Sequence, residues 1–285
     1  MYEALTAEES AIYGAFLSSS DMVVHHPEQK IGKFASALGL KTLADHSPEE
    51  SAKAASRMAR VFSAQHVNAS VSASSEMPAG GIIFLAESNQ EVMDSVVLAY
   101  RISEDPKVRM HASVVYEYPK FIETVQMPNI SAIKSFLPKK SFGASSYSEK
   151  SCLAMITKAE EAWKKKFHRS FGLIECYKVE DAEKVVVMPG FHFPTCKAAV
   201  DSLRAKGSKV GAVRIRTLSP FPSEAVAKHL AGKSVSVLDN AAWGPVLAAK
   251  LHAKSSFQYS KYLSKADFFN IFANTGKEGI FEIKQ

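Results

Sequence analysis

The residues able to do chemistry in this chain are few and widely spaced. Asp45 stands in Ala44-Asp45-His46-Ser47, just ahead of Ser47-Pro48-Glu49-Glu50. That run carries a cap, a first-position proline and early acids, so it predicts a helix start whose dipole favours the Asp45 carboxylate. His25 and His26 are adjacent at the end of the apolar run Asp21 to His25, which Pro27 closes. Neighbours on a strand point to opposite faces, so the two imidazoles do not suit a shared metal. Cys152, Cys176 and Cys196 lie far apart without a CxxC pair. They fit neither a disulfide framework nor an iron–sulfur ligand set and read as inert thiols. No metal site is expected.

The turn Glu87-Ser88-Asn89-Gln90-Glu91 follows the apolar run Gly81 to Ala86. Ser88 can cap a helix, with Glu91 at the capping-box position. Met93, Val96, Val97 and Tyr100 then fall on one helical stripe. Asn89 and Gln90 are expected to satisfy backbone groups at a sheet edge rather than to touch a ligand.

These residues must be positioned by a chain of 285 residues with net charge +6, long enough for two domains. Lysines cluster only at Lys139-Lys140 and Lys164-Lys165-Lys166. The two readings of these clusters are a solvated face and a docking patch for an acidic partner. No nucleic-acid motif accompanies the charge. No apolar run approaches the ~18 residues that span a membrane. The first residues, MYEALTAEES, read as acidic and helix-like rather than as a signal, so a cytoplasmic protein is expected.

Helix and strand signals alternate along the chain. Thr6 with Glu9 marks a helix start, and Ile31 to Leu38 reads as a helix stopped by Gly39. Val61 to Ala64 and Val108 to Tyr116 read as strands, and Ser131 to Leu137 as a short helix. Cys152 to His168 reads as a long helix bridging two domains. Lys184 to Met188, Ser208 to Arg216 and Lys233 to Leu238 read as strands. Between and after them, Thr195 to Ala205, Ser223 to Leu230 and Val246 to Ala253 read as helices. Such alternation predicts βαβ units and a mostly parallel sheet. Ligands are expected at strand carboxyl ends, near Pro189-Gly190, Ser219-Pro220 and Asp239-Asn240.

Phe84 to Asp105, reading FLAESNQEVMDSVVLAYRISED, resembles a segment of 2-oxoacid:ferredoxin oxidoreductase alpha subunits in which Ala-Glu-Asn-Asn-Gln-Glu precedes a helix. Val179 to Asn240 is similar to that family's second domain, with Gly207-Ser208-Lys209-Val210-Gly211, a basic strand and the turn Leu218-Ser219-Pro220-Phe221-Pro222. Ala132 to Pro138 resembles the family's linker. The resemblance implies an α/β fold of two mostly parallel-sheet domains. The first, 1–150, would be a truncated thiamine-enzyme pyrimidine-binding domain; a connecting helix, 151–176, would follow; the last, 177–285, would resemble a transketolase C-terminal domain.

The resemblance also implies a function: oxidative decarboxylation of a 2-oxoacid such as pyruvate to acyl-CoA, with electrons passed to ferredoxin. Thiamine diphosphate would be shared with a beta subunit. Mg and iron–sulfur clusters would sit on partner chains of the complex, and coenzyme A and ferredoxin would be met through it. The alpha chain owes the cofactor a carboxylate on the far aminopyrimidine nitrogen. The family's Glu falls at Asp45, one methylene shorter, and a misplacement of that order can cost ~10²-fold in rate. The family's substrate-side Thr falls at His26, and its Asp-Gly-Phe falls at Tyr118-Pro119-Lys120. The segment holding the family's substrate Arg is missing, and Gln65 to Gly80 contains no Arg or Lys. Arg57 and Arg60 are near in sequence, but a helical position gives no reason to prefer either. Two further readings stand beside this one. The first is a non-catalytic scaffold or regulatory descendant of the same subunit. The second, a stand-alone nucleotide-binding protein, has no GxGxxG to support it.

Overall fold

The computed structural model describes residues 2–18, 22–25, 42–46, 59–65, 81–105, 108, 112–117, 122–138, 148–190, 192–239, 244–251, 253–259 and 262–283. The expected helices at Ile31 to Leu38 and after Ser47 lie outside them. The chain divides into two compact units, Met1–Leu173 with Thr217–Phe221, and Ile174–Arg216 with Pro222–Gln285. Segment 151–176 is thus divided: it belongs to the first unit through Leu173 and to the second from Ile174.

In chain order the first unit holds β1 (Tyr2–Leu5), α1 (Ala7–Leu17), β2 (Met22–His25), β3 (Thr42–His46), β4 (Ala59–Gln65), β5 (Ile82–Ala86), α2 (Asn89–Ser103), β6 (Ala112–Glu117), β7 (Glu123–Gln126), α3 (Ile130–Phe136) and α4 (Glu149–Phe167). The second holds β8 (Ile174–Tyr177), β9 (Lys184–Met188), α5 (Phe193–Arg204) and β10 (Val210–Ile215). The chain then contributes β11 (Thr217–Ser219) to the first unit. It continues in the second with α6 (Ser223–Leu230), β12 (Ser234–Asp239), α7 (Gly244–Leu251), β13 (Ser255–Tyr259), α8 (Lys265–Asn274) and β14 (Gly279–Ile283).

The main sheet of the first unit has the order β11-β5-β6-β4-β3-β2. β5 and β6 are parallel, as are β2 and β3, but β4 runs against both its neighbours and β11 against β5. The α/β class holds, while this sheet is mixed rather than mostly parallel; apolar patterning reports burial and carries no strand direction. The continuous run Ile82 to Ala86 is buried on both faces, as a central strand requires. A separate ribbon pairs β1 with β7 antiparallel. The helix-like reading of MYEALTAEES is therefore corrected at Tyr2–Leu5: the ladder with Glu123–Gln126, a tertiary partner, overrides a local preference. The helix starts only after Thr6, whose Oγ1 accepts from Glu9 N at 3.2 Å, while Thr6 N donates to Glu9 Oε2 at 2.8 Å. This is the expected capping box.

Helix α2 is not the amphipathic surface helix that its stripe suggests. Val92, Met93, Asp94, Ser95, Val96, Val97 and Leu98 are all buried in succession. It packs on α1, α4, β4, β5, β6 and β7, so neighbours enclose nearly every side of it. Contact with α1 is close at Gly14: a Cβ there would sit 2.8 Å from the Met93 carbonyl oxygen and 3.0 Å from Val96 Cβ.

The second unit's sheet has the order β14-β13-β12-β9-β10-β8. Every pairing is parallel except β8 on β10. Its core is built from Val186, Met188, Phe193, Val200, Phe257 and Phe268 among others. Gly211 lies where β10 passes the backbone after β8: a Cβ would fall 2.6 Å from Lys178 O, so the strand glycine marks a close approach.

Candidate functional site

In the first unit's sheet β2, β3, β5 and β6 all point the same way, so their carboxyl ends gather at one edge. Such an edge is where open α/β sheets hold ligands. Asp45 lies there on β3, in register with His25 on β2 and Phe62 on β4. It is a strand residue, and the helix expected after Ser47 lies outside the described residues. Arg60 is in register with Tyr116 on β6, two residues edgeward of the Phe62–Val114 pair. Arg60 was expected on a helix; β4 begins at Ala59, which makes it a strand residue at this edge. His26, Arg57, Lys139-Lys140 and Tyr118-Pro119-Lys120 lie outside the described residues.

The turn after β5 is fully engaged in structure. Ser88 Oγ accepts from Glu91 N at 3.2 Å, and Glu91 Oε2 accepts from Glu87 N at 2.9 Å. The acid thus reaches one residue further back than a capping box requires. Asn89 donates from Nδ2 to Leu5 O at 2.7 Å. Gln90 Oε1 accepts from Gln126 N at 2.6 Å, and Gln90 Nε2 donates to Gln126 O at 3.3 Å. Both amides serve backbone groups at the β1–β7 ribbon, as expected.

One turn into α2 lies a group that pattern reading missed. Arg169 grips buried Asp94 with both arms, Nε to Oδ2 at 2.7 Å and Nη2 to Oδ1 at 3.0 Å. Arg169 Nη1 donates to Gln126 Oε1 at 2.6 Å, and Gln90 Nε2 donates to Asp94 Oδ1 at 3.0 Å. Burial pushes the Asp94 carboxyl up, while the Arg169 hydrogen bonds and charge pull the other way. The available signal was an acid inside VMDSVVLAY, an otherwise apolar stretch.

In the second unit β9 lies between β10 and β12, where the strand order reverses. Pro189-Gly190 leaves β9 as expected and leads to His192 ahead of α5. His192 is buried edge-on against Tyr259 and Tyr262, with ring centroids 5.0 and 5.5 Å away. Burial lowers its pKa to about 4, opposed weakly by Asp267. Asp239 ends β12, while Asn240 lies outside the described residues. Ser219-Pro220 is not at a carboxyl end of this sheet, since Thr217–Ser219 joins the first unit's sheet beside β5. Buried Arg214 donates from Nε to Glu175 Oε2 at 3.2 Å, and Lys197 Nζ donates to Glu175 Oε1 at 2.9 Å.

The cysteines are free; Cys152 and Cys196 are buried and Cys176 is half-buried. Burial raises all three thiols, Cys152 and Cys176 to about 11. Among the described residues no group of three or more His, Cys, Asp or Glu is placed to hold a metal, and no helix is long and apolar enough to cross a membrane. Lys164, Lys165 and Lys166 are exposed on the last turn of α4, where positive charge complements the helix dipole.

These features define a two-unit α/β chain with a candidate ligand edge on its first sheet. Residues 182–267 match the family model of the pyruvate:ferredoxin oxidoreductase core domain II. Pyruvate synthase subunit PorA of Methanothermobacter thermautotrophicus is 31% identical over 193 residues, 58% of this chain and 50% of that protein. PorA of Pyrococcus abyssi is 31% identical over 189 residues, 56% and 48% of the two chains. The alpha subunit of NADH-dependent phenylglyoxylate dehydrogenase from Aromatoleum evansii is 29% identical over 199 residues, 56% and 48% of the two chains. A 2-oxoglutarate:ferredoxin oxidoreductase from Magnetococcus marinus superposes with a TM-score of 0.44 at 11% identity, covering 100% of this chain and 62% of that one, a likeness too slight to carry weight. The chain spans about half the length of the curated relatives it matches. The resemblance carried by the motifs holds: residues 182–267 match the core domain II model, and over 56–58% of its length the chain is similar to the alpha subunits of these oxidoreductases.

Proposed function

We propose that this chain is an alpha-subunit-related component of a thiamine diphosphate-dependent 2-oxoacid:ferredoxin oxidoreductase. The similarity to PorA, together with the domain II match at 182–267, supports this reading. Its partners would be a beta subunit and the other subunits of the complex, with ferredoxin and coenzyme A met through them. Mg and iron–sulfur clusters would belong to those chains.

In this reading the chain would contribute one half of a thiamine site. The carboxylate that the cofactor needs would be that of Asp45, which β3 holds near the carboxyl ends of the first sheet's parallel strands. When bound, thiamine diphosphate supplies the nucleophilic carbon that attacks a 2-oxoacid. Asp45 would hold the far aminopyrimidine nitrogen of the cofactor, whose own amino group would then supply the base. His26, which lies outside the described residues, would take the substrate side in this reading. The units would correspond to a shortened pyrimidine-binding domain and a transketolase C-terminal-like domain.

Co-expression with a beta chain from the same genome tests the assembly: a stable complex with oxoacid-dependent dye reduction is expected. Calorimetry on that complex with thiamine diphosphate and Mg²⁺ should show binding that Asp45→Asn weakens ~10-fold or more. The missing Arg segment and the shortened acid favour a second reading, a non-catalytic scaffold descended from the subunit. Complex formation with no thiamine diphosphate binding would select it.

A further inference from the structure

Helix α1 carries no charged residue after Glu9. Ser10, Ala11, Gly14, Ala15 and Ser18 are buried, and Gly14 closes on Met93 and Val96 of α2, so the small-residue side lies against that helix. Ile12, Tyr13 and Phe16 fall on the other side. Phe16 is 65% exposed and Tyr13 40% exposed. A helix that is apolar on both sides belongs under cover on both. The neighbouring elements repeat the pattern. Among the described residues seven large apolar side chains are exposed, and five of them are Tyr2, Tyr13, Phe16, Ile122 and Ile130. Tyr2 stands on β1, Ile122 precedes β7, which pairs with β1, and Ile130 opens α3; α1 packs against both β1 and α3. With roughly 150–250 Å² for a whole aromatic side chain, the five expose on the order of 500 Å². Apolar patches of that size mark contact sites.

The charge around this patch selects its occupant. No Lys or Arg precedes Lys30, in a chain whose net charge is +6. Glu3 on β1 and Glu9 on α1 are exposed, and Glu123 on β7 is half-buried; Lys134 on α3 is a base at the border. In a two-fold dimer the patch would meet its own copy and set these acids against themselves. We infer that the outward side of α1, with Tyr2, Ile122 and Ile130 around it, docks a different chain whose apolar surface is rimmed by Lys or Arg, and that this chain is the beta subunit. The choice of the beta subunit rests on the functional reading above; the apolar side and its acidic border belong to this chain's own residues. Ile12, Tyr13 and Phe16 are the anchors of a helix laid into a groove. Glu3 and Glu9 steer the approach of the basic rim.

The test is titration of the full chain with the beta chain from the same genome, followed by calorimetry and stopped flow. Wild type should bind. Phe16→Glu should weaken binding ~10-fold or more and Tyr13→Ser several-fold, while Ile280→Ser, at an exposed position of the second unit, leaves it unchanged. Glu3→Lys should slow association at low salt, and the difference should vanish at high salt. Thermal melts establish that the variants are folded, and Tyr13→Ser covers the case in which Phe16→Glu is not. Equal binding by the folded variants overturns the inference and leaves the functional reading standing. A wild-type chain that ignores the beta chain, whether it stays monomeric in sedimentation or self-associates through Phe16, overturns both. A Phe16-dependent complex that binds no thiamine diphosphate supports the docking face and sinks the catalytic reading.

Discussion

Asp94 and His192 show two ways a buried titratable group is tolerated. Asp94 is enclosed by α2's neighbours and held by the Arg169 fork. Removing one partner leaves the other without its counter-charge, which costs more than the intact pair contributes. Asp94→Asn should lower the unfolding free energy by about 3 kcal/mol in urea titrations. His192 instead stays neutral, its pKa lowered to about 4 by burial. Between pH 4 and its ordinary value near 6.5, the unfolded chain binds a proton here that the folded chain does not. Stability should therefore be fully present above that range and fall as acid is added through it. The loss by pH 4 is on the order of 2–3 kcal/mol. His192→Gln should flatten this slope in melts taken from pH 7 to 4. The sequence displayed His192 in FHFPT without any sign of its burial, because Tyr259 and Tyr262, which pack on it, are remote in the chain.

At the scale of elements, two glycines mark approaches too close for a side chain. Gly14→Ala would drive a Cβ against the Met93 carbonyl and Val96, and Gly211→Ala would drive one against the Lys178 and Val179 backbone. Each should destabilise by about 1–3 kcal/mol, the cost of overpacking a filled interior. The larger loss is expected for Gly211, where the approach is closer and all three nearest atoms are backbone. Denaturant titrations of both variants would check the magnitude and the order. Boundaries were legible where local signals were strong: Lys184–Met188 and Ser223–Leu230 fall at the expected residues. Thr6 and Ser88 cap the helices assigned to them. β1 was misread and β3 went unrecognised, since short strands depend on partners far along the chain.

At the scale of the molecule, the second unit is not a single stretch, because Thr217–Phe221 is counted with the first. In the intact chain Thr217, Leu218 and Phe221 are buried. A fragment from Ile174 to Gln285 keeps these residues but loses β5, their sheet neighbour. It should bind an apolar dye more strongly than the whole chain, and Leu218→Ser should reduce that binding. A fragment no stickier than the intact protein would mean that β11 finds other cover.

The sequence alone determined the α/β class, the mostly parallel second sheet, the helix caps and the likeness to 2-oxoacid:ferredoxin oxidoreductase alpha subunits. All of these are written in short-range pattern: alternation, capping spacing and contiguous motifs. Only the tertiary structure decided the mixed direction of the first sheet, the enclosure of α2 and the detour of β11. It alone set the register that pairs His25 with Asp45 and Arg60 with Tyr116. Strand pairing joins residues tens of positions apart, which no short-range pattern encodes.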